Sequence, residues 1–165
     1  MRILYFLSLS LFFLSANAEN IKVSYIDTEK VINNLTHYEK NLEIISKEFE
    51  PKKKDLLDLF NHIELLRTKI NSNQQSLDKE TLKIEQNKLY SLEESFKNES
   101  ELWHAAVNNR KIELLQKIEI YINQILNEYA ANEEFDLILY ENVAYASEKV
   151  DITENILTEL EKFLP

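Results

Sequence analysis

The stretch LYSLEESFKNESELWHAAVNNRKIELLQKIEIYINQILNEY, residues 89–129, decides the fold of this chain. Its apolar residues recur every three or four positions, and about eleven turns over about forty residues match the α-helical period of about 3.6. The chain has 165 residues with no glycine and two prolines, and neither proline falls in this stretch. At a rise of about 1.5 Å per residue, the sequence predicts a helical rod on the order of 75 Å long, which must protrude from a domain of this mass.

A second amphipathic helix precedes this rod and predicts an antiparallel hairpin. From Glu39 to Ile70, apolar residues again recur at helical spacing. Pro51 lies inside this pattern, and because proline has no amide hydrogen, we expect a kink or a restart of the helix there. The polar run 71–76 has the composition of a loop, so it predicts the tip of the hairpin near residues 71–78.

Both ends of the chain show the alternating period of a β-strand. Ile21–Ile26 alternates apolar and polar residues and is followed by a short helical pattern. Phe135–Leu139 and Val143–Ala146 predict two further strands joined by a tight polar turn. Asp151 with Glu154 resembles a capping box that opens a last helix.

These patterns predict a mainly α protein, with a long helical hairpin on a small β-body. The body strand and short helix occupy residues 19–38, the hairpin arm residues 39–131, and the strand pair with the C-terminal helix residues 132–165. Three short strands are too few to close a sheet within one subunit, and their edges would stay exposed. We therefore expect the strands of several copies to associate.

Residues 1–18 have the features of a secretory signal peptide. Arg2 is followed by an apolar run from Ile3 to Leu14, and Ala16–Ala18 has the small-x-small pattern of a cleavage site. About a dozen apolar residues are too few to span a hydrocarbon core of about 30 Å. We therefore expect cleavage and export to the periplasm, the alternative being an uncleaved N-terminal anchor.

The composition excludes several classes of function. Without glycine the chain cannot form a P-loop or a dinucleotide-binding fingerprint, because both bring the backbone close to a phosphate at glycine positions. Without cysteine it has no thiolate nucleophile, disulfide or zinc ribbon. The net charge of −10 disfavours nucleic-acid binding, and most of the acidic excess falls in residues 132–165. We expect no cofactor and no nucleic-acid partner.

The candidate catalytic and metal-binding groups are weak. Adjacent acidic residues, as in Glu93–Glu94 and Glu133–Glu134, point to different faces of a helix, and no apolar pocket is evident to raise a carboxyl pKa. His104 with Glu101 or Asn108 offers one imidazole and weak oxygen ligands, which do not make a metal site. The sequence predicts no catalytic residue, no metal site and no enzymatic activity.

The order of elements and the sequence of both ends resemble the Skp (OmpH-like) periplasmic chaperone family. At the N-terminal end the likeness lies in Val23–Val31, which reads VSYIDTEKV. At the C-terminal end it lies in Phe135–Leu139, Val143–Ala146 and Val150–Thr153. The middle of the chain matches only as a long hairpin, so the two ends carry the specific part of the resemblance.

The resemblance implies a homotrimer in which strands of three subunits form a central β-barrel body and three hairpins extend around a cavity. It also implies a function, since members of the family hold unfolded outer-membrane proteins soluble, without ATP, until these are inserted. Better-known members are strongly basic whereas this chain is acidic, so neither electrostatic attraction of acidic clients nor lipopolysaccharide binding is carried over. A periplasmic coiled-coil adaptor or spacer without chaperone activity is the alternative.

Five apolar residues of the arm are candidates for contact with an unfolded client. An apolar side chain that remains after the two helices pack together faces outward, where it removes client surface from water at about 25 cal/mol per Å². The other interpretation places each of them in the seam between the two helices. Trp103 is the leading candidate, as a large amphipathic ring among polar residues. The candidates are Phe60, Leu66, Leu92, Phe96 and Trp103.

Basic residues cluster at one point along the arm and near its tip. They are either solvated faces that support ion pairs along the helix, or sites that attract anionic clients or lipid head groups in a peripheral contact with the membrane surface. The candidates are Lys52, Lys53, Lys54, Arg67, Lys69, Lys79 and Lys83.

Overall fold

A computed structural model of the chain describes residues 21–73 and 77–164, so the predicted signal peptide at residues 1–18 lies outside the described residues. Two short strands and four helices follow one another within those ranges. In chain order they are β1 (Val23–Ile26), α1 (Thr28–Asn34), α2 (Thr36–Asn73), α3 (Lys79–Asn132), β2 (Leu137–Tyr140) and α4 (Thr153–Phe163).

The long hairpin predicted from the sequence is confirmed. Helix α3 runs unbroken for 54 residues, which corresponds to about 80 Å at the α-helical rise. Asp78 caps its first turn, because a carboxylate oxygen accepts hydrogen bonds from the backbone amides of Glu80 and Thr81 at 3.0 and 2.9 Å. The tip lies between Asn73 and Lys79, a few residues later than the start of the predicted loop.

Of the two outcomes expected at Pro51, a kink or a restart of the helix, the restart is wrong. Helix α2 begins at Thr36, directly after the break at Leu35, and continues through Pro51 for a total of 38 residues. Proline removes only one backbone hydrogen bond from this helix. The apolar residues on either side of it, Ile45 and Leu56, are both buried, and their packing holds the helix together across that position.

The two strands pair in parallel, which differs from the strand pair predicted near the C-terminus. Val23 lies opposite Leu137 in a two-stranded sheet. Residues 143–146 are described and form no strand. Glu141 and Asn142 adopt left-handed backbone angles, with φ of 57° and 53°, and β2 pairs with β1 rather than with the segment that follows it.

The other edge of β1 is occupied by the segment that precedes α4. The Tyr25 amide donates to the Val150 carbonyl at 2.7 Å, and the Ile152 amide donates to the Tyr25 carbonyl at 2.9 Å. The predicted capping box is not formed, because the N-cap of α4 is Ile152, which makes no side-chain cap hydrogen bond. Asp151 instead accepts from the Thr153 amide at 2.8 Å, and Glu154 pairs with Lys30 at 2.7 Å. These contacts fix α4 beside α1.

The hydrophobic core lies at the base of the arm, where α1, α4, β1 and the adjoining ends of α2 and α3 meet. Its most deeply buried side chains are aliphatic, and together with the partly buried ring of Tyr121 they close around α4. No helix in residues 21–73 or 77–164 has an apolar stretch sufficient to cross a membrane. The buried core residues are Ile26, Val31, Leu35, Ile45, Leu114, Ile118, Ile122, Ile125, Ile152, Ile156, Leu160 and Leu164.

Candidate functional site

The half of the hairpin nearer the tip has a one-sided seam. Helix α2 supplies Leu56, Ile63, Leu66 and Ile70, which are all buried. In α3, by contrast, the described buried residues lie between Leu114 and Ile125, close to the base. The side chains with which α3 covers the distal seam are therefore partly exposed, so apolar surface beside the seam reaches solvent.

Part of this surface forms a shallow apolar groove along one side of the hairpin. Leu57 and Phe60 border it from α2, and Phe96 and Trp103 border it from α3. The rings of Phe60 and Phe96 are 5.8 Å apart between centroids, a separation typical of interacting aromatic pairs. Leu57 and Phe60 remain 57% and 44% exposed, so the hairpin does not use most of their apolar surface for its own folding.

The groove continues past Trp103 toward the base. This second part is lined by apolar side chains, including Phe49 and Val107, and by the charged residues Glu50 and Lys111. Lys53 and Trp103 border both parts. We call these two adjoining parts, which share Lys53 and Trp103 and extend from Phe96 to Lys111, the arm groove.

Trp103 is held in place at the middle of the arm groove. Its indole Nε1–H donates to the backbone carbonyl of Phe49 at 3.3 Å, and its ring meets the ring of His104 edge to face at 4.8 Å between centroids. The bond to α2 satisfies the single donor of the indole, while the ring stays half-buried. An aromatic ring fixed in this way offers apolar area with little conformational entropy to lose when a partner binds.

Two lysines give the arm groove a cationic rim. Lys53 Nζ lies 3.5 Å from the Glu50 carboxylate on the same helix. Lys111, at the end near the base, makes no ion pair with any residue in the described ranges. The lining of the groove thus has two lysines and one glutamate, and Lys111 is the lysine left without an ion pair in the described ranges, in a molecule whose net charge is −10.

Ion pairs connect the two helices along the distal arm. Lys52 Nζ lies 2.6 Å from Glu99 and Lys69 Nζ lies 2.9 Å from Glu85. The hydrogen bond from Lys52 is the main cause that lowers the pKa of Glu99, and the hydrogen bond from Lys69 likewise lowers the pKa of Glu85. Such exposed pairs are individually weak, so they set the register of the helices more than they stabilise them.

Arg67 joins a carboxylate of its own helix to one of the facing helix. It contacts Glu64 on α2 and lies 2.6 Å from Glu93 on α3. The hydrogen bond to Glu93 is the largest cause that raises the pKa of Arg67. The guanidinium of Arg67 is therefore occupied by ion pairs within the hairpin, and it borders neither part of the arm groove.

The structure brings together three of the five apolar residues proposed as client contacts. Phe60, Phe96 and Trp103 meet at the arm groove. Leu66 is 7% exposed and lies in the seam, and Leu92 is half-buried and does not border the groove. Client contact by these residues remains a prediction.

The basic candidates do not form one patch. Lys52, Arg67 and Lys69 are engaged in the ion pairs across the seam, and Lys53 borders the arm groove. A role for them with anionic partners or a membrane surface remains a prediction. Those that make no ion pair within the described ranges are Lys54, Lys79 and Lys83.

Two of the weak catalytic candidates are ion-paired, and His104 contacts the Trp103 ring without lining the arm groove. Glu93 binds Arg67, and Glu133 lies 3.7 Å from Lys22 at the base. Within residues 21–73 and 77–164, no three acidic or histidine side chains are arranged to hold a metal ion. The arm groove is suited to apolar contact rather than to proton transfer.

Sequence reasoning missed Leu57 and Lys111 as parts of the groove. The signal was present in the spacing, since Lys53, Leu57 and Phe60 follow one another at intervals of four and three residues on one stripe of a helix. Lys111 falls on the stripe that contains Trp103, at an interval of eight. Which stripe of α2 faces which stripe of α3 depends on the register of the hairpin, and neither helix alone shows it.

Comparison with known proteins identifies one family and one fold. The sequence profile of the family described as "Outer membrane protein (OmpH-like)" matches residues 22–160. Among the solved structures that match is that of a candidate outer membrane chaperone (OmpH-like) from Caulobacter crescentus, with a TM-score of 0.72 and 12% sequence identity. That alignment covers 87% of this chain and 86% of the other. No curated protein sequence matches this chain.

Proposed function

Because this chain belongs to the OmpH-like outer membrane protein family, we propose that it is a periplasmic holdase chaperone. It binds unfolded outer-membrane β-barrel proteins and keeps them soluble, without ATP, during transit to the outer membrane. Its fold is that of the chaperone candidate from Caulobacter crescentus. The signal-like sequence at residues 1–18 supports delivery to the periplasm.

The observation that carries the proposal is apolar surface exposed along an arm that protrudes from the core. Leu57 and Phe60 keep about half of their side-chain surface exposed, and Trp103 of α3 lines the same groove. An unfolded client needs many weak contacts, because one tight and shaped pocket would select a single sequence and slow its release. A shallow groove of aromatic and aliphatic side chains supplies such contacts.

The proposal includes a homotrimer assembled through the base. Leu137, Leu139 and Tyr140 of β2 are exposed apolar side chains, and β2 has only β1 as a strand partner within the described ranges. An exposed apolar edge strand is a ready template for pairing with another chain. Three copies joined at this edge would project three arms around a shared space.

An aggregation assay tests the chaperone function against the alternative of a coiled-coil spacer. A urea-denatured outer-membrane β-barrel protein is diluted into buffer with or without this protein, and light scattering is followed. We expect suppression at about one trimer per client. Unchanged aggregation would contradict the holdase and favour the spacer.

A matched pair of variants tests the arm groove as the site of contact. Leu57→Ser removes an exposed apolar side chain from the groove, whereas Leu65→Ser removes one that is 71% exposed on the same helix but borders neither part of the groove. We expect Leu57→Ser to require a several-fold higher concentration for the same suppression, and Leu65→Ser to behave as the wild type. Equal loss in both variants would contradict a localised site.

The assembly is tested separately from the activity. Native mass spectrometry and small-angle scattering of the mature protein should give three times the subunit mass and an extended, hollow particle. Leu139→Lys places a charge on the exposed edge of β2 and should shift the mass toward the monomer. A compact monomeric wild type would contradict the proposed architecture.

A further inference from the structure

The arm groove has the length of a short extended peptide. Along α3 its apolar part runs from Phe96 to Val107, which is about 16 Å at the helical rise, and it extends to about 22 Å at Lys111. An extended strand rises about 3.3 Å per residue. Five to seven residues of a strand, roughly, therefore cover the groove from end to end.

An extended segment presents its side chains to the groove at every second position. Successive side chains of a strand point to opposite faces, so only alternate residues can enter a surface that is open on one side. The walls of the groove are largely apolar: Leu57, Phe60 and Phe96 toward the tip, and Phe49 and Val107 toward the base. The occupant that fits carries apolar side chains at alternate positions.

The charged residues at the rim of the groove determine which side chains are favoured at the other positions of the bound strand. The ammonium groups of Lys53 and Lys111 stand at the border, against the single carboxylate of Glu50. Side chains at the intervening positions of a bound strand point away from the floor of the groove, on the side to which the long lysine side chains can extend, where carboxylates would be attracted and ammonium groups repelled. This local excess of positive charge contrasts with the net charge of −10 of the chain.

We propose that the arm groove binds a short extended segment with apolar side chains at alternate positions and acidic side chains between them. This inference rests on the proposed holdase function and states which segments of an unfolded client the arm groove binds. The acidic molecule thus recognises acidic segments through a local cationic rim.

The sole tryptophan of the chain reports on occupancy directly. Trp103 borders both parts of the groove, and it is the only tryptophan in the sequence. Three tryptophan-free heptapeptides are titrated into the full-length mature protein while Trp103 fluorescence is followed. The first alternates Phe or Val with Asp, the second has Lys in place of each Asp, and the third has the composition of the first with its apolar residues in one block.

We expect the alternating acidic peptide to bind at least about fivefold more tightly than the lysine peptide in low salt, since two exposed charge contacts amount to that factor. At about 1 M salt the preference should largely disappear, because the Debye length falls to about 3 Å. The block peptide should bind more weakly than the alternating one. Equal binding of the acidic and lysine peptides, or no fluorescence change with any peptide, would overturn the inference.

Charge variants provide the matched control. Lys53→Glu with Lys111→Glu should reverse the preference between the acidic and lysine peptides, and Lys53→Gln with Lys111→Gln should abolish it without adding repulsion. Lys47→Glu with Lys117→Glu makes the same change in net charge at exposed positions outside the groove. If this control reverses the preference equally, the rim is not the determinant and the inference fails.

The aggregation assay separates this inference from the proposed function. A wild-type protein that suppresses aggregation but shows no preference among the peptides overturns the groove specificity and leaves the holdase intact. A protein that binds the acidic peptide but does not suppress aggregation overturns the holdase and retains the groove as a peptide site.

Discussion

The base of the molecule and the distal half of its arm are stabilised by different interactions. At the base, aliphatic side chains from several elements close around Ile156 and Leu160, which are fully buried. Among the described residues of the distal arm, only α2 supplies buried side chains, which keep 3% to 7% of their surface exposed, and exposed ion pairs such as that of Lys52 with Glu99 connect the helices. Burial determines the fold of the base, whereas the arm keeps part of its apolar surface free for other contacts.

The first way to test this comparison is to truncate the core of the base. Ile156→Ala should lower the free energy of unfolding by about 2 to 5 kcal/mol, because it leaves a cavity at a site enclosed on all sides. Chemical denaturation followed by circular dichroism measures the change. Ile44→Ala, at an exposed isoleucine of α2, is the control and should change the free energy by about 0.5 kcal/mol or less. Similar losses in both variants would contradict the difference in burial.

A second variant addresses the unbroken helix at Pro51. Pro51→Ala supplies the missing amide hydrogen and should raise the free energy of unfolding by about 1 to 3 kcal/mol. Thermal unfolding measures the gain, and Lys54→Ala on the same helix should change stability only slightly. A loss of stability or of helix content in Pro51→Ala would mean that the arm requires proline at this position.

The distal seam should respond less than the base. Leu66→Ala should lower the free energy of unfolding by about 1 to 2 kcal/mol, because the partly exposed α3 side chains that face it let water fill the gap. Hydrogen exchange should show faster opening of the distal arm, with amides at the base unaffected. A greater loss of client capture in Leu66→Ala than in Leu57→Ser would show that a seam residue is a client contact after all.

The smallest effect concerns the ion pairs of the distal arm and depends on pH. Since Lys52 and Lys69 lower the pKa values of Glu99 and Glu85, the stability that these carboxylates contribute is fully present above the ordinary pKa of glutamate. It is lost as the pH falls through that ordinary value to the lowered one. Hydrogen-exchange protection from about pH 7 to about pH 3 should therefore decline in the distal arm first. In Glu99→Gln with Glu85→Gln this decline should be reduced, and an unchanged decline would contradict its origin in these pairs.

The elements governed by local patterns were predictable from the sequence. The uninterrupted helical period of residues 89–129 correctly predicted α3. The sequence allowed a restart of the helix at Pro51, and α2 has none. The cost of the one amide that proline lacks is local, whereas the burial of residues on both sides of Pro51, which favours a continuous helix, is not visible in the sequence. The C-terminal strand pair was wrong for a related reason: sequence proximity favours a hairpin, but β2 pairs with β1 from the start of the chain.

The candidate site was predictable only in its residue types. Phe60, Phe96 and Trp103 were identified as apolar residues of the arm, but the same pattern fits a position in the seam. Leu66 has the same helical spacing and is buried. Which of these side chains is exposed depends on the register and relative rotation of α2 and α3, and the pattern of a single helix does not show these.

The sequence by itself determined a long helical hairpin and strands near both ends of the chain, because periodicity and composition act through local backbone preferences. Only the tertiary structure decided the parallel pairing of β1 with β2, the continuity of α2 and the convergence of Leu57, Phe60, Phe96 and Trp103 on one groove. The strand pairing and the groove join residues distant in sequence, and the continuity of α2 depends on burial against other elements. In each case the free energy comes from burial between elements rather than within one.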